Sequence, residues 1–131
     1  MPIDVGASTK VIVFMLLADA IWLSTMRPMY ARLVKSVQGR DMAPLRIVPA
    51  IVAYVFVLFA FVSLCAARIS KSSSGLDAFL IGCASGLAIY GIFNATNAAI
   101  FSGYTLVPAV ADTLWGTALF GTASFLYHRF L

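Results

Sequence analysis

Long apolar segments alternate with short polar connections along this chain, and the apolar segments determine its architecture. Each is close to the ~20 residues that a helix needs to cross the hydrocarbon core of a bilayer. Because backbone groups in lipid must be hydrogen-bonded within the segment, helices are expected there. The pattern therefore predicts an all-α integral membrane bundle, one domain over residues 1–131, with both termini on the same side. The four predicted transmembrane helices lie at about 10–28, 47–67, 76–100 and 108–127.

The connection between the first two apolar segments, residues 27–46, is the most basic part of the chain. It contains five basic residues against the single acid Asp41, and apolar residues recur among them at helical spacing: Leu33, Val34 and Val37. Two interpretations remain open. After a bend at Pro28, an amphipathic helix within 29–40 would lie on the membrane surface with its apolar residues toward the lipid. Alternatively, a solvated helix would extend the first span. In the first case, three residues are expected to contact lipid headgroups: Arg32, Lys35 and Arg40.

Composition agrees with a membrane environment, because 62% of the residues are hydrophobic and only 11% are charged, against about 25% in soluble domains. The net charge of +4 does not indicate a nucleic-acid partner, since the basic residues lie in the connections rather than on one continuous face. Lys10 precedes the first helix, and three basic residues follow it: Arg27, Arg32 and Lys35. Because basic residues favour the cytoplasmic side, the sequence predicts a cytoplasmic 27–46 connection and non-cytoplasmic termini.

Two acidic residues interrupt the apolar segments, and each belongs to the same short motif, Asp-x-x-Trp. Asp19 precedes Trp22 in the first segment, and Asp112 precedes Trp115 in the fourth. An aspartate near the middle of a membrane helix costs roughly 2.5–3.5 kcal/mol on insertion scales, so Asp19 is expected to face the bundle interior. Asp112 lies in the first turns of its helix, where the positive end of the helix dipole and interfacial water provide an alternative explanation for it. For Asp19, two roles remain open: a functional one, and a structural hydrogen bond between helices.

The polar residues near one face of the membrane are predicted to share a single site, because each would be costly alone in lipid. Asn94 and Asn97 lie on one stripe of the third helix, near its end. At about 1.5 Å per residue, Asp112 reaches the same depth on the fourth helix, and so does Arg27 on the first. Asp112 is therefore expected beside Asn97 or Asn94, with Arg27 as its counter-ion. Asp19 is about 12 Å short of that depth and should have a different partner.

Small residues on the third and fourth helices predict close packing between helices. Gly82 and Gly86 have the G-x-x-x-G spacing on one face of the third helix, which allows another helix to approach its backbone. Three further residues are predicted to pack between helices: Gly116, Trp22 and Trp115.

Together these motifs resemble those of an uncharacterised membrane-protein family called domain of unknown function 2177. The resemblance covers nearly the whole chain and rests on these positions: Asp19-x-x-Trp22-Leu23, Tyr30, the Gly82/Gly86/Tyr90 stripe, Thr96-Asn97 and Asp112-x-x-Trp115-Gly116. It implies a small protein with four transmembrane helices, and no established activity comes with it. The usual pattern of the family, Tyr-Asp-Leu-Thr-Asn, differs here, because this chain has an amide at Asn94 in place of the acid.

The chemistry of the residues gives no support for an enzyme. The sequence offers no nucleophile–histidine pair and no phosphate-binding loop, and its one histidine, His128, lies near the C-terminus. Cys65 and Cys83 are interpreted as small apolar side chains rather than as a metal site or a disulfide. We therefore expect no enzymatic activity, no metal and no cofactor.

Two functions from different classes remain. The first is a structural or accessory component of a larger membrane-associated assembly, such as an organellar complex or a virion membrane. The second is an oligomeric solute or proton pathway that uses Asp19, Asn97 and Asp112 within the membrane. Expected partners are membrane lipids, other membrane or capsid proteins and further copies of this chain, whereas nucleic acid is not expected. A water-filled cavity at Asp19 would favour the pathway, and a dry, hydrogen-bonded Asp19 would favour the structural role.

Overall fold

In the computed structural model, residues 2–131 are described, and their regular structure is entirely helical. Five α-helices follow one another along this part of the chain: α1 (Val5–Thr25), α2 (Arg27–Gln38), α3 (Ile47–Ala60), α4 (Gly75–Ile100) and α5 (Leu106–Phe130). α3 continues without a break through a π-helical turn, Phe61–Cys65, and a 3-10 turn, Ala66–Arg68. The protein is a helical membrane bundle.

Local capping and one proline determine where α1 begins and ends. The side chain of Asp4 accepts a hydrogen bond from the backbone N–H of Ala7 at 2.7 Å, so α1 begins at Val5 rather than at residue 10. α1 ends at Thr25, three residues before the predicted end. Pro28 lacks the N–H that a continuous helix would need, and the chain bends at Met26 before α2 begins. α2 is therefore a separate helix and does not extend the first span.

The last two helices are longer than predicted at one or both ends. Ser74 and Asp77 form a capping box at the start of α4, which places its first residue at Gly75. α5 begins at Leu106 rather than at 108, because Pro108 lies in the first turn, where its missing N–H costs nothing. α5 also continues past residue 127 to Phe130.

α5 is the central helix of the bundle. It packs along α4 and also contacts α1, α2 and the π-helical turn. Phe120 and Tyr127 of α5 are fully buried, together with Val11 of α1 and Phe61 of the π-helical turn. By contrast, no residue of Ile47–Ala60 is buried, so α3 turns nearly all of its surface outward. The core therefore lies between α1, α4, α5 and the π-helical turn that follows α3.

Glycines bring the backbones of α4 and α5 into contact. A Cβ atom at Gly82 would overlap the carbonyl oxygen of Phe120, and one at Gly86 would overlap the carbonyl oxygen of Gly116. Gly116 in turn lies under the ring of Tyr90, which leaves no room for a side chain. Small residues at these positions are what permits two helices to approach so closely in lipid.

Hydrogen bonds at the two ends of the bundle establish how the helices run. At one end, the backbone N–H of Asp4 donates to the hydroxyl of Tyr127 at 3.1 Å. At the other end, the Ser36 hydroxyl donates to the carbonyl oxygen of Gly103 at 2.7 Å. α1 and α5 are therefore antiparallel, with the two chain ends together and α2 beside the turn between α4 and α5.

Three helices of the described chain are long and apolar enough to cross a membrane: Val5–Thr25, Ile47–Arg68 and Gly75–Ile100. α5, with 25 residues, has the necessary length but is less apolar. Its sequence includes several polar residues: Asp112, Thr113, Thr117, Thr122 and Ser124.

The apolar face of α2 packs against the bundle. Met29 and Leu33 are buried there, while Arg32 and Lys35 are exposed. The expectation that Leu33 faces the lipid is therefore wrong. Leu33 thereby covers polar groups that lie between α2 and the rest of the bundle.

Candidate functional site

Asp112 is the polar centre of the bundle at the end covered by α2. Its Oδ1 atom accepts a hydrogen bond from the hydroxyl of Tyr30 at 2.5 Å, and its Oδ2 atom accepts one from the amide of Asn94 at 2.7 Å. Tyr30 comes from α2 and Asn94 from α4, so a single carboxylate of α5 joins three helices. Hydrogen bonds between helices of this kind satisfy polar groups that would be costly alone in lipid.

Asn94 uses its whole amide within the protein. One N–H bonds to Asp112, the other bonds to the carbonyl oxygen of Tyr90 at 2.9 Å, and Oδ1 accepts from the hydroxyl of Tyr104 at 2.7 Å. A neutral amide both donates to Asp112 and accepts from Tyr104, and it does so without placing a second acid beside the carboxylate. The amide therefore suits this site.

The phenol of Tyr104 lies in the turn between α4 and α5 and completes this group. Burial raises the pKa of Tyr104, and the nearby charge of Asp112 raises it further. Both effects keep the hydroxyl protonated at neutral pH, so it remains available as the donor to Asn94.

Asp19 belongs to a second polar group, deeper in the bundle. Its Oδ2 atom accepts from the hydroxyl of Tyr54 at 2.7 Å, and its Oδ1 atom accepts from the indole N–H of Trp115 at 2.9 Å. Tyr54 comes from α3 and Trp115 from α5. As predicted from its depth, Asp19 therefore has other partners than Asp112 does.

The two Asp-x-x-Trp motifs meet through their tryptophans. The rings of Trp22 and Trp115 stack with their centroids 4.8 Å apart, and the N–H of Trp22 donates to the hydroxyl of Tyr30 at 2.8 Å. A spacing of three residues places Asp and Trp on the same face of a helix. Because α1 and α5 are antiparallel, each tryptophan then reaches the polar group of the other motif, Trp115 directly and Trp22 through Tyr30.

Two members of the predicted shared site occupy different places. In the described part of the chain, the donors to Asp112 are Tyr30 and Asn94, whereas Asn97 lines a cleft beside it. Arg27 is exposed and is not the counter-ion, since the one ion pair among residues 2–131 joins Lys35 to Asp41 at 3.6 Å. The bend at Met26 explains this result, because it takes Arg27 off the axis of α1 from which its depth was calculated.

Sequence reasoning missed the tyrosines that complete both polar groups. Tyr54 is the only polar side chain between residues 47 and 62, and a lone hydroxyl in so apolar a segment is the signal that could have identified it. From the sequence alone, Tyr104 could be interpreted only as an aromatic residue at the membrane boundary. In the fold, both hydroxyls donate to polar residues of other helices.

The two carboxylates differ in their access to open space. Asp19 borders a cavity of about 10 Å³, the least volume that can hold one water molecule. Asp112 borders an open cleft of about 400 Å³ between α2 and the end of α4. Asp19 is thus hydrogen-bonded beside a small cavity, whereas Asp112 faces a space large enough for a small molecule.

The remaining candidate residues lie apart from these groups. Among residues 2–131, no cluster of three or more histidine, cysteine, aspartate or glutamate side chains could hold a metal ion. Cys65 is buried, and both cysteines are free thiols. The three basic residues considered for lipid headgroups are exposed: Arg32, Lys35 and Arg40.

Comparison with known proteins adds one finding. The family model described as "Predicted membrane protein (DUF2177)" matches residues 6–128. The match includes both Asp-x-x-Trp motifs and every residue of the two polar groups. Neither the comparison with curated proteins nor the comparison with solved structures found a match.

Proposed function

This chain belongs to the DUF2177 family of predicted membrane proteins, and we propose that it serves as a structural or accessory component of a larger membrane assembly. The observation that carries the proposal is the use of its intramembrane carboxylates. Each of the four oxygens of Asp19 and Asp112 accepts a hydrogen bond from a neutral donor inside the bundle. Hydrogen bonds of this kind join neighbouring helices and stabilise the fold.

The same contacts argue against a proton pathway through the bundle. The two polar groups meet at the stacked rings of Trp22 and Trp115. An indole N–H donates a hydrogen bond but has no acceptor atom, so it cannot pass a proton onward. The small volume beside Asp19 leaves little room for a chain of water molecules. A solute pathway on Asp19, Asn97 and Asp112 remains the second candidate, because Asn97 and Asp112 line the open cleft.

A bundle of four membrane-crossing helices is part of this proposal. Since α5 packs antiparallel along α4, and α4 has the length and composition of a span, α5 occupies the same depth. Both chain ends then lie on one side of the membrane. The basic α2 side faces the cytoplasm on the charge rule, and the termini face away from it.

The outward face of α3 is the surface through which such a component would contact its neighbours. Phe56 and Phe59 are each 66% exposed, and Tyr54 is the residue through which α3 bonds to Asp19. A helix that is apolar all round and little buried needs another apolar surface, which is lipid or a neighbouring subunit. We infer that α3 contacts the other components of the assembly.

The experiment compares the size of the protein released from its own membrane in mild detergent with that of two double variants. Phe56→Ala with Phe59→Ala should reduce the complex to the isolated chain. Leu87→Ala with Ile92→Ala, which alters exposed residues of α4, should leave the complex intact. An isolated chain in every sample would overturn the proposal, and so would equal dissociation of both variants.

A second measurement separates this role from the solute and proton pathway. Sealed liposomes that contain the purified chain should show no more proton or solute flux than empty liposomes. Flux that Asp112→Asn abolishes would contradict the structural role and support the pathway.

A further inference from the structure

We propose that the cleft between α2 and α4 binds an uncharged amphiphile whose hydroxyl group bonds to Asp112 and Asn97. We call this space the α2 cleft. Its apolar walls are formed by Leu33, Val34, Val37, Phe93 and Phe101, and Asn97 and Asp112 provide polar atoms beside them. The proposal does not depend on the accessory role, since either a lone bundle or a subunit could hold such a ligand.

The size and composition of the α2 cleft are those of a ligand site. Its volume of about 400 Å³ lies within the range of about 300–1,000 Å³ that is usual for small-molecule pockets. Such pockets are mostly apolar, with a few polar groups that orient the ligand. The α2 cleft has this division, because aliphatic and aromatic walls adjoin the carboxylate of Asp112, the amides of Gln38 and Asn97, and two tyrosine hydroxyls.

The depth of the polar groups suits an amphiphile. Asp112 follows the first residue of α5 by six positions, which is about 9 Å along the helix axis. Asn97 precedes the last residue of α4 by three positions, or about 4.5 Å. Both therefore lie just inside the membrane boundary, where a polar head would be found while its apolar body remains in the hydrocarbon.

Charge excludes two of the three classes of head group. An anionic head would be repelled by Asp112, which only accepts hydrogen bonds when it is ionised. A cationic head would add to the positive charge of α2, the helix that forms one wall of the cleft and carries the exposed Arg27 and Arg32. The one acid of that surface, Asp41, is already paired with Lys35. A neutral head remains.

A hydroxyl group matches both polar residues at once. A carboxylate can accept about four hydrogen bonds, and Asp112 accepts two from the protein, so it can accept another from a ligand O–H. The amide of Asn97 can donate to the same hydroxyl oxygen. An ester or a ketone has no donor, so its oxygen would face the carboxylate of Asp112 without a hydrogen bond.

Contacts at both ends of α2 hold the cleft open without a ligand. Tyr30 bonds to Asp112 near the start of α2, and Ser36 bonds to Gly103 near its end. A Cβ atom at Gly103 would overlap the carbonyl oxygen of Ser36, which shows how closely the turn approaches the helix. The site is therefore preformed, as small-molecule sites usually are.

The test uses photoreactive probes and the full chain in phosphatidylcholine nanodiscs at neutral pH. Three probes carry the same alkyl chain and diazirine but end in a hydroxyl, a phosphate or a primary amine. The hydroxyl probe should label the walls of the α2 cleft at least about fivefold more than the other two, the ratio expected from one hydrogen bond. Equal labelling by all three probes, or preference for a charged head, would overturn the proposal.

Two variants test which residue recognises the head group. Asn97→Leu should reduce labelling by the hydroxyl probe about fivefold. Thr96→Leu is the control, because Thr96 is exposed on the same turn of α4 and does not line the cleft. Unchanged labelling of Asn97→Leu would contradict the assigned role. If this variant fails to fold, the comparison of the three heads on the unaltered chain still decides the question.

Discussion

Trp22 and Trp115 stack with their ring centroids 4.8 Å apart and their planes within 1° of parallel. This contact joins two helices that are far apart in sequence and brings together the two Asp-x-x-Trp motifs. Stacked aromatic pairs contribute about 0.5–1.5 kcal/mol beyond the area they bury. On either side of the pair, an indole N–H bonds to Asp19 or to Tyr30, so the stack links both polar groups of the bundle.

Replacing Trp115 with phenylalanine should separate stacking from hydrogen bonding. Trp115→Phe keeps an aromatic ring but removes the N–H that donates to Asp19, leaving one carboxylate oxygen unpaired. We expect the free energy of unfolding to fall by about 1–3 kcal/mol, measured by titrating the detergent-solubilised protein with SDS. Phe59→Leu, on the exposed face of α3, is the control and should change little. Equal effects of the two variants would contradict a role for this bond.

Replacing Asp112 should loosen three helices at once. Asp112→Leu leaves the hydroxyl of Tyr30 and the amide of Asn94 without their acceptor, at a cost of about 1–3 kcal/mol for each unpaired donor. Asp41→Leu is the matched control, since its side chain is 88% exposed and surface ion pairs contribute little. Asp4 is unsuitable as a control, because it caps α1. A stability change no larger for Asp112→Leu than for Asp41→Leu would count against the polar site.

Two glycines of α4 should respond in opposite ways to the same substitution. Gly86→Ala places a Cβ atom against the backbone of Gly116, so it should destabilise the protein by about 1–3 kcal/mol. Gly91→Ala meets no atom closer than Thr113 Cγ2 at 3.9 Å, and it should be neutral or stabilise the helix by up to about 1 kcal/mol. Thermal unfolding in mild detergent measures both. Tolerance of both alanines would mean that α4 and α5 are not in backbone contact.

Labelling of introduced cysteines tests whether α5 crosses the membrane. In a chain whose own Cys65 and Cys83 are replaced by serine, Ser102→Cys and Leu131→Cys lie at opposite ends of α5. A membrane-impermeant maleimide should reach them from opposite sides of sealed vesicles, and Ser72→Cys should behave like Leu131→Cys. We expect Ser102→Cys to react from the cytoplasmic side. If Ser102→Cys and Leu131→Cys react from the same side, α5 does not cross the membrane.

The sequence by itself determined the medium and the helices. Hydropathy and segment length are local properties, so the apolar segments can be recognised without knowing what packs against them. The cost of a polar side chain in lipid is also local. It indicated that Asp19, Asn94 and Asp112 lie inside the bundle, although it did not indicate what each of them bonds to.

Only the tertiary structure decided the partners. Asn94 and Asn97 lie about 60° apart around α4, so either could reach Asp112 on sequence grounds. The rotation of α4 about its axis makes the choice, and the contacts of Gly82 and Gly86 with the backbone of α5 fix that rotation. Asn94 then points to Asp112, while Asn97 lines the cleft.

The bend at Met26 decided which residue near the start of α2 contacts Asp112. It moved Arg27 off the axis of α1 and brought Tyr30 to the place where a counter-ion was expected. Tyr54 reached Asp19 from a helix that carries no other polar side chain among residues 47–62. A helix pattern gives the height and face of each residue along its own axis. The relative rotation and tilt of neighbouring helices come from side-chain packing between segments distant in sequence, and no local pattern contains that information.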